Sequence, residues 1–107
     1  MKVSIRLLCI FTLIGTPVLA ATTSTGKGKI EFTEGHISAK CRTVSFVANA
    51  DGTKKRFRIS NVADSDVNAI AIAAVSTNQN VEIWFDPNVT TGCGAEPQIT
   101  YIRLYSN

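Results

Sequence analysis

The chain has 107 residues, of which 45% are hydrophobic and 18% are charged, and its formal net charge is +3 at pH 7. This length allows a single domain and excludes two-domain enzymes such as dehydrogenases and kinases. The hydrophobic content is sufficient to fill a core, which excludes a disordered chain.

Residues 1–20 have the pattern of a secretory signal peptide. Lys2 and Arg6 form a positive start, the run Leu7–Ile14 is apolar and uncharged, and small residues lead to a cleavage site after Ala20. The apolar run is too short to span a bilayer, so a retained membrane anchor is the less favoured alternative. We therefore expect a signal peptide over residues 1–20 and a secreted or periplasmic protein.

Cleavage at this site would leave residues 21–107 as one domain. This domain has nine basic side chains, because Lys2 and Arg6 are removed, and eight acidic ones, which gives a net charge of about +1. Such a balance lacks the strongly basic character of nucleic-acid-binding proteins. We expect no nucleic-acid partner.

Two cysteines, Cys41 and Cys93, remain in this domain after Cys9 has left with the signal peptide. An exported pair most simply forms one disulfide. A metal site or a reactive thiol is the alternative, but His36 is the only histidine and the sequence has no Cys-x-x-Cys motif, which disfavours zinc. We predict a disulfide between Cys41 and Cys93, with no metal.

Alternating patterns predict three strands in the first half of the domain. Residues 21–29 are small and polar and read as a flexible leader into a first strand over Lys29–Glu34. Further alternation predicts strands over Thr43–Ala48 and Lys55–Ser60. Gly35 interrupts the first pattern, which indicates a bulge or a sharp bend.

An amphipathic helix is predicted next, with Asp64 as its N-cap. Its apolar face has spacings of 3, 4, 7 and 8 residues and consists of Val67, Ile70, Ala71, Ala74 and Val75. Ala69 and Ile72 widen this face, so we expect the helix to be buried on more than one side.

Strands over Val81–Phe85 and Gln98–Tyr105 complete the domain, and the stretch from Asp86 to Gly94 reads as a loop. The order of three strands, one helix and two strands is compatible with a mainly β fold. We predict a five-stranded OB-type barrel with the helix between strands 3 and 4. An open α+β sheet is the alternative.

The segment Ser65–Pro87, SDVNAIAIAAVSTNQNVEIWFDP, resembles the B subunits of subtilase cytotoxin and typhoid toxin. In that family a long helix ends in a short polar turn before a strand of the type V-x-I-x-[YF]-[DE]-P. Lys29–Ile37, KIEFTEGHI, is similar to the family's first strand, and ITYIRLY fills the place of its closing strand. The chain departs from the family in being shorter and in having two cysteines after the signal peptide rather than more. It also lacks the aromatic insert after the strand-four proline, where it has Asn88–Pro97 instead.

The resemblance implies an OB-fold subunit of an AB5 toxin. Such a subunit forms a ring of five copies, binds sialylated glycans on host cells and delivers a toxin A subunit. A serine near the start of strand 1 contacts the sugar carboxylate in those toxins, and the matching position here is Thr25, beside Gly26. Lys27 would add a positive charge close to that carboxylate.

Other charged and aromatic residues are further candidates for the glycan site. The cluster Lys54-Lys55-Arg56-x-Arg58 reads either as an anionic-ligand site or as a solvated edge strand protected from aggregation. Trp84 has the opposite parity to Val81, Ile83 and Phe85, so it is expected to face outward, either as a ligand or subunit contact or as a cap on the second layer of the barrel. The predicted glycan-binding residues are Thr25, Gly26, Lys27, Lys54, Arg56, Arg58 and Trp84.

No pattern in the sequence points to catalysis. His36 stands alone at a strand end, and no serine lies in a G-x-S-x-G setting. We therefore expect a binding protein without enzymatic activity or cofactor, and a small secreted hydrolase is the weakest option. The main alternative to a toxin subunit is a periplasmic or secreted OB-fold protein with a binding or structural role.

Overall fold

A computed structural model describes residues 22–60 and 65–106, so the predicted signal peptide and the predicted N-cap at Asp64 lie outside the described residues. The strands and helices in chain order are β1 (Thr23–Glu34), a 3-10 turn (Ala39–Cys41), β2 (Thr43–Ala48), β3 (Lys54–Arg58), α1 (Ser65–Thr77), β4 (Val81–Thr90) and β5 (Pro97–Leu104).

The five strands close into a barrel in the order β1-β2-β3-β5-β4. All neighbouring pairs are antiparallel except β3 and β5, which meet at a single parallel register pair, Arg58 and Gln98. The helix α1 lies between β3 and β4 in the chain. This arrangement confirms the predicted OB-fold barrel and its helix position, and it excludes the open α+β sheet.

The core of the barrel follows the alternation of the sequence. Val81, Ile83 and Phe85 of β4 are buried, as are Phe57 and Ile59 of the third strand region. The other buried hydrophobic residues are Ile30, Val44, Phe46, Ala71, Ala74, Ile99 and Ile102. Burial of these side chains is the main favourable contribution to folding, at about 25 cal/mol for each Å² of apolar surface removed from water.

One face of α1 packs on this core. Ala71 and Ala74 are buried, and Val67, Ile70 and Val75 pack against the core, as their spacing predicts. The expectation that α1 is buried on more than one side was wrong, because Ala69 is exposed and Ile72 is 46% exposed. The barrel therefore covers one face of the helix, and the described residues leave Ile72 in contact with solvent. No helix within residues 22–60 and 65–106 is long and apolar enough to cross a membrane.

Strand β1 starts well before the alternating pattern does. The prediction of a flexible leader was wrong for residues 23–29, because the strand begins at Thr23. The β1–β4 register shifts between Ser24 and Lys27. Because of this irregularity, the start of β1 lacks the alternation of apolar and polar residues by which a strand is predicted from sequence. Gly26 lies in the irregular stretch with φ at 71°, a left-handed conformation that glycine adopts without steric cost.

A close approach between β1 and β2 depends on Gly28. A Cβ atom at this position would lie 2.3 Å from Phe46 Cζ and 2.3 Å from the Val47 carbonyl oxygen. Glycine therefore allows the Phe46 ring to lie directly against the backbone of β1. Further along, β1 has a second register shift between Ile30 and Phe32 and ends at Glu34, so Gly35 follows the strand rather than forming a bulge within it.

Strand β4 extends to Thr90, so the predicted loop beginning at Asp86 starts too early. The β4–β5 register jumps from Phe85–Ile99 to Thr90–Pro97, and the residues between them have no register partner on β5. Pro87 lacks a backbone N–H and is tolerated in this unpaired stretch. Because proline is also common in loops, Pro87 contributed to the prediction of a loop in this stretch.

The predicted disulfide is confirmed. Cys41 and Cys93 are joined with an S–S distance of 1.98 Å and a Cα–Cα distance of 5.4 Å, across a sequence separation of 52 residues. The bond links the 3-10 turn before β2 to the connection between β4 and β5. It therefore fixes one end of the barrel.

Candidate functional site

A pocket lies at the end of the barrel that carries the β2–β3 turn. Its volume is about 240 Å³, and it is lined by Ser24, Thr25, Phe46, Ala48, Asp51, Thr53, Lys55 and Phe85. Binding pockets for drug-sized molecules usually measure about 300–1,000 Å³. The pocket is therefore of a size for one small group, such as the terminal unit of a larger ligand.

Two buried aromatic rings, Phe46 and Phe85, line the pocket. Phe85 comes from the alternating part of β4, and Phe57 packs edge-on against it with ring centroids 4.9 Å apart. Phe46 lies against β1 because Gly28 leaves room for its ring. The apolar lining is therefore positioned by the packing of the core.

Lys55 supplies the positive charge of the pocket. It is the register partner of Phe46 on β2, and its ammonium lies 5.3 Å from the ring centroid of Phe85 and 6.0 Å from that of Phe57. No carboxylate of the described residues forms an ion pair with Lys55. Its three N–H donors are therefore available to an anionic ligand.

The β2–β3 turn adds polar groups to the pocket. The backbone N–H of Thr53 donates to Asp51 Oδ1 at 3.0 Å. Hydrogen bonds from the Thr53 hydroxyl and from the Thr53 backbone N–H lower the pKa of Asp51 below its ordinary value. Asp51 is therefore ionised at neutral pH, and it is suited to accept hydrogen bonds from hydroxyl groups rather than to meet a carboxylate.

Thr25 lines the pocket, but its hydroxyl is already engaged within the barrel. Thr25 Oγ1 donates to the Gly26 carbonyl at 2.7 Å and accepts from the Ile83 backbone N–H at 3.1 Å. The side chain thus bonds a β4 N–H at the point where the β1–β4 register shifts. This contact gives Thr25 a structural role in addition to its position at the pocket.

Lys27 and Trp84 lie elsewhere, on the outer surface formed by β1, β4 and β5. The ammonium of Lys27 lies 4.3 Å from the ring centroid of Tyr105. Trp84 is half-buried and packs edge-to-face on Tyr101, with ring centroids 5.1 Å apart. Neither Lys27 nor Trp84 lines the pocket. The predicted glycan-binding residues therefore do not all lie in one site.

The basic residues of β3 lie on two different faces, because successive side chains of a strand point to opposite sides. Lys54 pairs with Glu31 at 2.8 Å, and Arg56 lies 5.5 Å from the Phe32 ring. Neither residue lines the pocket, whereas Lys55 does. Lys55 belongs to the predicted basic cluster but not to the predicted glycan-binding residues, although its period-two relation to the apolar Phe57 indicates that the two share a face.

Arg58 belongs to the disulfide end of the barrel. Its guanidinium donates to the Cys41 carbonyl at 2.6 Å and to Thr43 Oγ1 at 2.8 Å, and it pairs with Glu96 at 3.2 Å. The donors of Arg58 are therefore used within the fold. The structure assigns this residue to the support of the β4–β5 connection, away from the pocket.

Among the described residues, the side chains at the pocket include no arrangement suited to hydrolysis. The single histidine is outside it, and His36 Nδ1 accepts from the Ser38 backbone N–H at 2.9 Å. Within residues 22–60 and 65–106, no group of three histidine, cysteine, aspartate or glutamate side chains could hold a metal ion. The geometry of the pocket is suited to recognition of a small anion-bearing group.

No family model matches the chain, and no curated protein matches it.

Proposed function

We propose that this protein is the B subunit of an AB5-type toxin, secreted after cleavage of residues 1–20, that binds sialylated glycans on host cells and delivers an A subunit. The observation that carries the proposal is the pocket in which Lys55 lies beside two aromatic rings and forms no ion pair with a carboxylate of the described residues. The closed barrel matches the OB fold that the resemblance implies, and the disulfide is consistent with an exported protein.

Sialic acid matches the chemistry of the pocket. Its carboxylate accepts a charge-assisted hydrogen bond from the Lys55 ammonium. Its hydroxyl groups donate to the Asp51 carboxylate, and its N-acetyl methyl group packs on the ring of Phe85. The proposal retains Thr25 as part of the pocket wall and assigns the role of cation to Lys55 in place of Lys27.

A ring of five copies belongs to this proposal. A pocket of about 240 Å³ covers little of a glycan, so a single site binds weakly. Several pockets on one rigid ring would engage several glycans of the same membrane and raise the overall avidity by a factor of about 10² to 10⁴. We therefore expect the secreted protein to be a homopentamer.

The test compares binding to immobilised sialylated glycans with binding to the same glycans after sialidase treatment. The parent protein is expected to bind the sialylated surface only. Lys55→Ala should weaken this binding at least about tenfold, because it removes the charged donor. Lys54→Ala is the matched control, since it removes the same charge from the neighbouring position outside the pocket.

Equal binding to the two surfaces, or equal effects of the two lysine substitutions, would contradict the proposed site. Light scattering after size-exclusion chromatography tests the ring. A monomer that binds no glycan would favour the alternative, a periplasmic or secreted OB-fold protein without a toxin role.

A further inference from the structure

A second surface lies directly across β1 from the pocket, and Ser24 belongs to both. Ser24 lines the pocket and is the register partner of Trp84 in the β1–β4 ladder. Its hydroxyl donates to the carboxylate of Glu82 on the outer surface. A ligand that emerges from the pocket over Ser24 would therefore meet the side chains of β4 and β5.

We define the outer platform as Trp84, Tyr101, Arg103 and Tyr105. Trp84 and Tyr101 are register partners on β4 and β5, and Tyr101 is 50% exposed. The guanidinium of Arg103 lies 5.3 Å from the Trp84 ring and 5.9 Å from the rings of Tyr101 and Tyr105. Aromatic side chains and a cation are thus grouped on one exposed face.

Hydrogen-bonding groups surround the outer platform. Tyr105 donates its hydroxyl proton to Glu82 Oε1 at 2.6 Å. Bonds from Ser24 and then Tyr105 lower the pKa of Glu82 below its ordinary value, so its carboxylate is ionised at neutral pH. Neither Lys27 nor Arg103 forms an ion pair with a carboxylate of the described residues. The surface therefore offers both donors and acceptors beside the aromatic rings.

A neutral hexose has the matching chemistry. One face of its ring carries C–H groups, which aromatic rings remove from water, and its edges carry hydroxyl groups that both donate and accept hydrogen bonds. Arg103 can donate to such hydroxyls, and Glu82 can accept from them.

We propose that the outer platform is a second subsite, which holds the neutral hexose that follows the acidic terminal sugar of the glycan bound in the pocket. This inference rests on the proposed function. It makes the recognised unit a sialylated disaccharide or longer chain, bound continuously across Ser24.

The experiment titrates the protein with two soluble probes, the methyl glycoside of sialic acid and 3′-sialyllactose. The parent is expected to bind sialyllactose about 2- to 12-fold more tightly, which is the range typical of one aromatic contact. Trp84→Ala and Arg103→Gln should abolish this difference and leave the affinity for the methyl glycoside unchanged. Arg56→Gln is the matched control, because Arg56 also lies over an aromatic ring but on another part of the barrel.

The outcomes separate this inference from the proposal on which it rests. Equal affinity for the two probes in the parent would overturn the second subsite and leave the pocket intact. Failure of the parent to bind either probe would overturn both. A change of oligomeric state in both Trp84→Ala and Arg103→Gln, measured by light scattering, would show a subunit contact and would also overturn the second subsite.

Discussion

The two ends of the β2–β3 hairpin differ in how their polar groups are satisfied. At the disulfide end, Arg58 bonds to Cys41, Thr43 and Glu96, so its donors are occupied by the fold. At the pocket end, Lys55 forms no ion pair with a carboxylate of the described residues and lies over aromatic rings. One short strand therefore places a structural cation at one end and an available cation at the other.

This difference indicates that one end of the barrel stabilises the fold, whereas the other end keeps polar groups available. The disulfide end also contains a bond from Thr91 Oγ1 to the Lys40 carbonyl at 2.6 Å, which holds the β4–β5 connection against the 3-10 turn. The β2–β3 turn, in which Gly52 has φ at 73°, lies at the pocket end. A rigid end stabilises the domain, and this allows the other end to keep polar groups available for a ligand.

Removal of the disulfide should have the largest effect on stability. For a sequence separation of 52 residues, the chain-entropy model gives a loss of about 4 kcal/mol in the free energy of unfolding. Denaturant titrations of the parent and of a Cys41→Ser, Cys93→Ser double variant measure this loss. Reduction of the parent should reproduce it, and coincident unfolding curves for the oxidised and reduced parent would contradict it.

Substitution of Arg58 should have the next largest effect. Its side chain is only 18% exposed, and Arg58→Ala leaves the Cys41 carbonyl and the Glu96 carboxylate without this donor. We expect a loss of about 2 kcal/mol, typical of a partly buried charged network. Lys55→Ala is the comparison from the pocket end and should change the free energy of unfolding by less than about 0.5 kcal/mol. Similar losses for the two variants would remove the distinction between the two ends.

Thr25 should contribute to stability as well as to the pocket. Thr25→Val deletes the hydroxyl that accepts from Ile83 N–H, and we expect a loss of about 1 kcal/mol. Thr25→Ser keeps the hydroxyl and should lose less than half as much. Thermal unfolding of the two variants measures the difference, and equal losses would show that the hydroxyl bond contributes nothing.

The sequence predicts the parts of the fold where a regular period survives. The alternation of Val81, Ile83 and Phe85 and the helical spacing of the α1 face both correspond to buried residues. The start of β1 and the end of β4 were missed, because both stretches contain register shifts and residues that usually mark loops. An irregular segment can still pair with a neighbouring strand, but this pairing depends on tertiary structure and is not visible in the local sequence.

The candidate site was predicted less completely than the fold. Lys27 is near Thr25 in sequence, but the shift between Ser24 and Lys27 places its ammonium over Tyr105 rather than at the pocket. Lys55 is distant from Thr25 in sequence and reaches the pocket only through the β1–β2–β3 arrangement. Pairing of strands, which depends on tertiary structure, determines which charges meet.

A smaller effect is expected for the pH dependence contributed by Glu96 at the disulfide end. Its own backbone N–H, and then Arg58, lower the pKa of Glu96 below its ordinary value of 4.5. A lowered pKa stabilises the fold above pH 4.5, and this contribution is lost as the pH falls through the folded-state pKa. Glu96→Gln removes it, so the difference in melting temperature between the parent and this variant should shrink as the pH falls from 6 to 3.

Asp51 provides the comparison from the pocket end. Its pKa is also lowered, but by bonds from the neutral hydroxyl and backbone N–H of Thr53, whereas Glu96 also faces a guanidinium. Hydrogen bonds from charged donors are stronger than those from neutral donors, so the pH-dependent difference should be smaller for Asp51→Asn than for Glu96→Gln. A larger pH-dependent difference for Asp51→Asn would mean that the pocket end contributes more ionic stabilisation than the disulfide end, which would reverse the comparison between them.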